Sequence, residues 1–407
     1  MKIFINRSVF RGSMSSPQGR TGTILDTTFS PDGRPFYVKQ NPDVRLTDIE
    51  FRIYTAAQEV LGGQYLIPEV FLVEDPTIIL VEDVGESLEH ILHTPRELRQ
   101  TREQFTDFLT QNLQVRGALN TVINQTLTVE DQQFLMEYNR AKLLASVKKI
   151  APNDGGITAS DMEAHFWAYR VMNALGVYDE QFKEAYTAVI GSKIDGLLAK
   201  RGGTWLQDNC LRNNASKDGK VMIPFDFNSL QYGLAQMDET GMTGLYLFNG
   251  MLVVYDTPAK RKEFMTKRAQ ESGCRTTEEV DEYMQGYVLS VIHQNALLAG
   301  YRTQEARLHC EELLEQKKQL VAQKEKLGGY RRETYDAFRR AHDAFLKAHD
   351  EIEYQHSACI EPMRPWNGVV DKIALNAQER EHMRIVDGFI THYTFGQRLP
   401  MRMQVGF

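Results

Sequence analysis

Residues 206–213 read LQDNCLRN, and residues 224–227 read PFDF. Asp208 and Asn213 stand five positions apart in the first segment, and Asp226 lies in the second. In isolation, Asp and Asn are usually turn residues. Two carboxylates and one amide that converge, in contrast, offer the oxygen ligands that Mg²⁺ takes from proteins alongside phosphate groups. The two segments therefore indicate a candidate metal and phosphate site.

The residues around these segments predict how the site would assemble. Short apolar runs at 204–206 and 221–225 read as strands, and the polar stretch 213–220 reads as a turn between them. Such a hairpin would return Asp226 to the neighbourhood of Asp208. The Asp208 carboxylate could then accept the proton of an acceptor hydroxyl during phosphate transfer, and the amide five positions later could bind the metal without adding negative charge.

A lysine near the N-terminus offers the cation that such a site requires. Lys39 follows the apolar run FYV at 36–38, which comes after a loop rich in Gly, Ser and Pro at 11–22. One interpretation places its ammonium over the α- and β-phosphates of a nucleotide, with the loop backbone above them. The other is an ordinary strand-end lysine in solvent. The downstream pattern of Asp and Asn favours the first interpretation.

A phosphate-binding lysine needs a carboxylate partner that fixes it and keeps it charged. Glu50 and Glu59 are the two candidates, because both lie on the helix predicted to begin at Thr47. Glu50 is preferred, since it shares a helix face with Ile53 and Ala57. The alternative role for Glu50 is to close a capping box with Thr47.

Residues 79–85 read ILVEDVG, an apolar strand that ends in acidic residues and a glycine. Backbone groups between Val81 and Val84, including those of Glu82, could present hydrogen-bond partners to an adenine ring. The alternative is a plain connection between a strand and the next helix.

Periodicity divides the chain into a mixed first part and a helical remainder. The first 85 residues predict an antiparallel sheet with one helix, and its strands are expected at 3–5, 23–29, 36–38, 70–73 and 78–81. Apolar stripes after Gly85 predict helices at 97–112, 129–150, 159–175, 179–200, 278–301, 304–327 and 333–357.

The last of these helices carries a seven-residue repeat. Phe338, Phe345 and Ile352 recur at this interval, which is typical of a packing seam for a partner helix. Residues 304–327 could supply that partner within the chain through the Gly328-Gly329 connection. A seam between two molecules, giving a homodimer or a complex with another protein, is the alternative.

Composition narrows the class of protein. At 407 residues the chain exceeds what one hydrophobic core usually supports, and 42% hydrophobic with 25% charged residues is typical of soluble globular proteins. A net charge of −7 argues against a nucleic-acid-binding surface. The four cysteines form no CxxC pair, which favours reduced thiols in the cytoplasm, and no stretch reads as a membrane span.

These motifs resemble those of the protein-kinase-like superfamily, and in particular its small-molecule branch of aminoglycoside and choline kinases, with some likeness to HipA-like kinases. That family carries HxDxxxxN in its catalytic loop, and residues 206–213 match it except that Leu206 replaces the histidine. The resemblance assigns roles to five residues: Asp208 as catalytic base, Asn213 and Asp226 as metal ligands, Lys39 as the phosphate-binding lysine, and Glu50 as its partner on the helix.

The resemblance implies an α+β, two-lobed protein-kinase-like fold. A small antiparallel-sheet N-lobe at 1–85 would bind the nucleotide, a large mainly helical C-lobe at 86–255 would carry catalysis, and 256–407 would form extra C-terminal helices. The implied activity is transfer of phosphate from ATP, with Mg²⁺, to a hydroxyl of a small molecule. Two alternatives are a kinase of proteins or peptides, with autophosphorylation as one option, and a pseudokinase scaffold that binds a partner through the C-terminal helices, which Leu206 favours.

Overall fold

The computed structural model describes residues 23–88, 102–151, 156–206, 209, 213–227, 230–240, 257–329, 331–360, 375–396 and 401. The chain folds as two compact units. The described residues of the first unit lie within 23–137 and 201–240, and those of the second within 138–200 and 257–401. The strand expected at 3–5, the loop at 11–22 and Asp208 all lie outside the described residues.

A four-stranded antiparallel sheet begins the first unit. Its strands are β1 (Thr23–Phe29), β2 (Pro35–Gln40), β3 (Val70–Leu72) and β4 (Ile78–Glu82), in the order β1-β2-β4-β3. Alternation along β2 and β4 places Phe36, Val38 and Leu80 together in one apolar cluster. Lys39 pairs across the strands with Ile79 on the other face. The four expected strands within the described residues are confirmed.

Helix α1 (Val44–Leu61) packs on this sheet through a face that includes Ile49, Ile53 and Ala57. Its N-cap is Asp43, whose carboxylate accepts the N–H of Arg45 at 2.7 Å. The helix therefore begins three residues before Thr47, and the alternative capping box is wrong. Glu50 lies inside the helix and is free to serve another partner.

Two small sheets and two long helices complete the first unit. Helix α2 (Arg102–Thr126) is followed by α3 (Val129–Val147), which begins in this unit. The short strands are β5 (Glu86–Ser87), β6 (Gly203–Leu206), β7 (Asn214–Ser216), β8 (Ile223–Pro224) and β9 (Leu230–Gly233). They pair as β5-β7-β8 and β6-β9. Residues 214–216, which were expected to lie in a turn, form strand β7. The expected hairpin between 204–206 and 221–225 is also wrong, because β8 pairs with β7 and β6 pairs with β9.

The second unit is helical throughout its described part, apart from the connections. Its helices are α4 (Ala159–Ala164), α5 (Phe166–Leu175), α6 (Glu180–Tyr186), a π-helical turn (Thr187–Gly191), α7 (Ser192–Arg201), α8 (Pro258–Glu271), α9 (Thr277–Leu327), α10 (Arg332–Ile360) and α11 (Ala377–Thr394). Large buried aromatic side chains such as Tyr169, Phe182 and Tyr287 fill its core. The prediction of an α+β fold, a small antiparallel sheet followed by a mainly helical remainder, is confirmed.

The two helices expected at 278–301 and 304–327 are a single helix, α9. Nothing between them ends a helix, because Arg302 and Thr303 are ordinary helical residues and Thr303 bonds back to the Ala299 carbonyl at 2.8 Å. The helix stops instead at Gly328, which takes the left-handed conformation (φ 65°) of a C-cap.

The seven-residue repeat forms a seam within the chain. Helix α10 follows α9 through Gly328 and Gly329, and its Phe338 and Phe345 pack with Cys310, Leu313 and Leu320 of α9. Farther along, Ala348 and Ile352 pack with Ala306. The intramolecular helical hairpin is therefore confirmed. Across the described residues, no helix is both long and apolar enough to cross a bilayer.

Candidate functional site

Lys39 lies between two carboxylates from distant parts of the first unit. Its Nζ is 2.7 Å from Oε1 of Glu50 on α1 and 2.7 Å from Oδ1 of Asp226, which follows β8. The Lys39 side chain is 9% exposed and that of Glu50 is 1% exposed, whereas that of Asp226 is 34% exposed. The Lys39 ammonium thus links the four-stranded sheet, helix α1 and the hairpin formed by β7 and β8. Of its two carboxylate partners, that of Asp226 reaches solvent.

Glu50, not Glu59, is the partner of Lys39. Glu50 uses its second oxygen as well, because the side-chain amide of Asn41 donates to Oε2 at 3.0 Å. Both carboxylate oxygens are therefore paired in the interior, where an unpaired charge would be strongly unfavourable. Glu59 is exposed on the far end of the helix.

The charge on Lys39 is maintained by its neighbours. Burial alone would lower the pKa of Lys39, but the carboxylates of Asp226 and Glu50 outweigh burial and raise it above its usual value. The ammonium is therefore charged throughout the neutral range.

The backbone of Asp226 has an unusual conformation. Within the described part of the chain it is the one non-glycine residue with a positive φ, at 66°. Residues with side chains adopt this left-handed region rarely, and it is found where surrounding contacts hold it. The N–H of Asp226 donates to the hydroxyl oxygen of Tyr54 at 3.1 Å.

Tyr54 also contacts Phe227, the residue after Asp226. Its ring stacks on that of Phe227, with centroids 4.2 Å apart and planes at 16°. Burial and the nearby charges of Glu50 and Asp226 raise the pKa of Tyr54 well above its ordinary value, so its hydroxyl remains neutral. Tyr54 stands one helical turn after Glu50 on α1, so a single helix holds both Lys39 and Asp226.

Asn213 lies at the start of the same hairpin. Its carbonyl accepts the N–H of Phe225 at 3.2 Å, which joins it to the residue before Asp226. The residue is buried, at 8% exposure. The structure therefore brings Lys39, Glu50 and Asp226 into direct contact and links Asn213 to them through the hairpin backbone, while Asp208 lies outside the described residues.

In the segment 81–84, which was expected to contact adenine, some backbone groups are already hydrogen-bonded to neighbouring strands. The N–H of Glu82 donates to the Glu69 carbonyl at 2.9 Å, and the N–H of Asp83 donates to the Pro35 carbonyl at 2.9 Å. The Glu82 carboxylate accepts from Lys217 at 2.9 Å. The Val84 side chain is buried in a cluster with Ala215, Ile223 and Phe225, which attaches this segment to the hairpin that carries Asp226.

Sequence reasoning missed a polar stripe on α2. Arg116, Asn120 and Asn124 follow one another at intervals of four, so they share a helix face. Arg116 forms a buried ion pair with Asp238, Asn120 accepts the N–H of Leu206 at 3.2 Å, and Asn124 accepts the N–H of Thr204 at 3.1 Å. Polar residues at this interval among buried Leu, Val and Ile were the signal that could have revealed the stripe.

Asp238 is the charged centre of this stripe. Burial raises its pKa, although its bonds to Arg116 and Asn120 act in the opposite direction. Through the side chain of Asn120 the stripe holds the backbone N–H of Leu206 at the end of β6, and through that of Asn124 it holds Thr204 near the start of β6.

No protein-family model matches this chain, and no curated protein matches it. Among solved structures it is similar to an ethanolamine kinase from Plasmodium vivax, with 10% identity over 89% of this chain and 82% of that chain and a TM-score of 0.38. An aminoglycoside phosphotransferase from Alicyclobacillus acidocaldarius gives 9% identity, 84% and 91% coverage and a TM-score of 0.35. A choline/ethanolamine kinase family protein from Mesorhizobium loti gives 10% identity, 84% and 90% coverage and a TM-score of 0.34. The chain is thus similar to small-molecule kinases, the group that its motifs resemble.

Proposed function

We propose that this protein is a phosphotransferase that uses Mg²⁺ and ATP to phosphorylate a hydroxyl of a small molecule. The observation that carries the proposal is the position of Lys39, buried and 2.7 Å from both Glu50 and Asp226. Residues 39 and 226 lie 187 positions apart, so only the fold unites them. A charged ammonium next to a partly exposed carboxylate is the pair that phosphate oxygens and their metal require.

The residues present fit a nucleotide and its metal. Lys39 would bind the α- and β-phosphates, with Glu50 fixing its position. Asp226 and Asn213 would hold Mg²⁺, since one or two protein oxygens together with phosphates are its usual ligands. Among the described residues no group of three or more His, Cys, Asp or Glu side chains forms a metal cage, and this mode of binding needs none.

Bound Mg²⁺-ATP would supply the γ-phosphoryl group, whose bond to the bridging oxygen of ADP breaks as a new P–O bond to the acceptor hydroxyl forms. Asp208 would orient that hydroxyl and take its proton. Lys39 would stabilise the negative charge that grows on the leaving ADP oxygens. The backbone groups of Val84 and the carbonyl of Glu82 would receive the adenine.

The assignment of segments is part of the same proposal. The N-lobe at 1–85 would bind ATP, 86–255 would carry the catalytic loop, and 256–407 would contribute helices beyond it. A cytoplasmic location is supported by Cys274 and Cys310, which are buried free thiols.

A second candidate function is a pseudokinase scaffold. The hairpin of α9 and α10 favours it, because α9 alone runs for 51 residues and exposes Leu308, Val321 and Leu327. Such a surface could receive a protein partner without any chemistry. Phosphate transfer to a protein or peptide would use the same site as the first proposal and differ only in the acceptor.

The test begins with nucleotide binding. We expect Mg²⁺-ATP to raise the midpoint of thermal unfolding of the wild-type protein and not that of Lys39→Ala. We further expect ADP release with a panel of hydroxyl compounds, and its loss in Asp208→Asn with nucleotide binding retained. Label from [γ-³²P]ATP in polypeptides, and not in small molecules, would transfer the proposal to a protein acceptor. Absence of any shift with Mg²⁺-ATP would favour the scaffold.

A further inference from the structure

Three buried asparagines form a cluster that the proposed mechanism does not use. Asn112 belongs to α2, Asn209 lies after β6, and Asn214 begins β7. Their exposed fractions are 0%, 1% and 0%. We call these three residues the asparagine cluster.

Asn112 and Asn209 form a reciprocal amide pair. The Nδ2 of Asn112 donates to Oδ1 of Asn209 at 2.9 Å, and the Nδ2 of Asn209 donates to Oδ1 of Asn112 at 2.8 Å. Asn112 also donates to Oδ1 of Asn214 at 3.1 Å, and Asn214 donates to Oδ1 of Asn209 at 3.2 Å. Each amide is therefore held by both of the others.

Because the asparagine cluster is buried, it restricts the relative positions of its three residues. An interior amide that loses its partner is left without water to replace it, so each member strongly favours the arrangement that satisfies all three. The cluster is also neutral. It can fix a loop beside a phosphate site without adding a charge that would repel the nucleotide or compete for the metal.

The cluster brackets the two residues that lie at the centre of the proposed function. Asn209 is the chain neighbour of Asp208, and Asn214 is the chain neighbour of Asn213. Consecutive Cα atoms are about 3.8 Å apart, so a fixed side chain strongly restricts the position of the adjacent residue. Helix α2 thus holds Asn209 and Asn214, the chain neighbours of the proposed base and of the proposed metal ligand.

We propose that Asn112 is a positioning residue for the proposed reaction that fixes Asn209 and Asn214, the chain neighbours of Asp208 and Asn213, an inference that rests on the proposed function. It acts through Asn209 and Asn214 and need not touch the nucleotide. A purely structural role, in which Asn112 only stabilises the fold, is the competing explanation. The tests are chosen to separate the two.

Asn124 provides a matched control. It is also an asparagine of α2, twelve positions later, and it also bonds a neighbouring segment by accepting the N–H and donating to the carbonyl of Thr204, at 3.1 and 2.8 Å. It anchors the start of β6 and not the segment 209–214. Leucine is the substitution at both sites, since its side chain has the same branching and number of heavy atoms as that of asparagine and favours helix.

The first measurement is amide hydrogen exchange of the full chain without nucleotide. We expect Asn112→Leu to accelerate exchange in residues 209–214, and Asn124→Leu to leave that segment at its wild-type rate. Equal exchange in 209–214 for Asn112→Leu and the wild type would overturn the inference. This readout does not depend on catalysis.

The second measurement is ADP release from Mg²⁺-ATP with water as the acceptor. We expect Asn112→Leu to lower kcat about 10- to 100-fold, as for a displaced catalytic group, and to raise the Mg²⁺ concentration needed for half-maximal rate, with KM for ATP changed by no more than about twofold. Asn124→Leu should keep the wild-type kcat and Mg²⁺ dependence. A wild-type kcat and Mg²⁺ dependence in Asn112→Leu would overturn the inference even if exchange were faster.

A second variant guards against general damage to the fold. Asn209→Leu should reproduce the loss in kcat, and the double variant Asn112→Leu/Asn209→Leu should lose less than the sum of the two single variants, because each single variant already breaks the reciprocal Asn112–Asn209 pair. Additive losses would contradict a shared action. A wild-type protein that binds no Mg²⁺-ATP would overturn the proposed function and the catalytic part of this inference, while the exchange result would still decide whether the cluster anchors the segment.

Discussion

The hydroxyl of Tyr54 supports a backbone conformation that Asp226 would otherwise adopt rarely. Tyr54→Phe removes that hydrogen-bond acceptor and keeps the ring stacked on Phe227. We expect the free energy of unfolding to fall by about 1 kcal/mol, the usual effect of losing one buried hydrogen bond, and Mg²⁺-ATP binding to weaken as Asp226 loses its fixed position. Urea denaturation and nucleotide titration measure the two effects.

Tyr65→Phe is the control for this change. The side chain of Tyr65 is partly buried, and its hydroxyl has no hydrogen bond with any residue in the described part of the chain. Its removal should alter the free energy of unfolding by less than about 0.5 kcal/mol. Equal effects of the two substitutions would show that the Tyr54 hydroxyl has no special role.

The pairing of Lys39 with Glu50 gives a second prediction. Glu50→Gln keeps the shape of the side chain but removes the charge, so the buried ammonium retains Asp226 as its charged partner and loses the other. We expect unfolding to become easier by about 1–3 kcal/mol, measured by urea denaturation. Glu59→Gln, on the exposed end of the same helix, should change stability by less than about 0.5 kcal/mol. A stable Glu50→Gln variant would mean that Asp226 alone suffices.

Single residues were predictable where their chemistry is unusual for their position. Lys39 beside an apolar strand, and Asp226 within an apolar run, stand out in the sequence because charges are seldom placed there without a partner. Tyr54 did not stand out, since an aromatic residue in an apolar helical stripe ordinarily belongs to the core. Its hydroxyl gains significance only from a backbone N–H that lies 172 residues away.

At the scale of elements, α9 and α5 approach each other at Gly300. A Cβ added there would lie 2.7 Å from the carbonyl carbon of Ala174 and 2.9 Å from both the Ala174 Cβ and the Leu175 nitrogen. Because backbone atoms cannot move aside cheaply, we expect Gly300→Ala to lower the free energy of unfolding by about 1–3 kcal/mol despite the better helix propensity of alanine. Thermal and urea unfolding would measure this loss.

Gly388 is the matched control, because it also lies inside a helix, α11, but an added Cβ would meet nothing within 4 Å. Gly388→Ala should therefore stabilise the protein by up to about 1 kcal/mol. If Gly300→Ala were stabilising as well, the close packing of α9 on α5 would be refuted.

Helices and strands could be predicted from the sequence where nearby residues alone determine them. The turn residues and alternating apolar positions located the four described strands of the N-terminal sheet. The break expected near residue 302 was wrong, because Arg302 and Thr303 are ordinary helical residues and Thr303 bonds back to the Ala299 carbonyl. Strand β7 was missed because Asn214, Ala215 and Ser216 have low strand propensity, and their pairing with β8 and β5 decides the outcome.

At the scale of the whole molecule, composition and periodicity predicted an α+β chain whose later part is helical. They could not predict which helices pack together, since that depends on contacts between distant segments. The seam of α10 is an exception, because the seven-residue repeat and a two-glycine connection restrict its partner to the helix just before it. The polar stripe of α2 shows the opposite case, where partners such as Asp238 lie more than a hundred residues away.

The burial of His293 on α9 predicts how the stability of the protein depends on pH. Its Nδ1 is 2.9 Å from the Tyr186 hydroxyl of α6, and its ring meets that of Trp167 on α5 edge-on at 5.1 Å. The residue is 2% exposed. Burial first, and then the positive charge of Arg170, lower the pKa of His293 well below its usual value of 6.5.

A histidine that stays neutral in the folded protein but takes up a proton when unfolded contributes stability above pH 6.5 that is lost as pH falls. We therefore expect the free energy of unfolding to decline below pH 6.5 by up to about 1.4 kcal/mol per pH unit from this one site. His293→Gln retains a partner for Tyr186 and cannot titrate, so it should flatten the profile between pH 6.5 and 5 while leaving the loss at lower pH, where carboxylates protonate. Urea denaturation across this range measures both proteins. An unchanged slope in His293→Gln would show that other groups control acid stability, and that the core of the second unit tolerates the protonated ring.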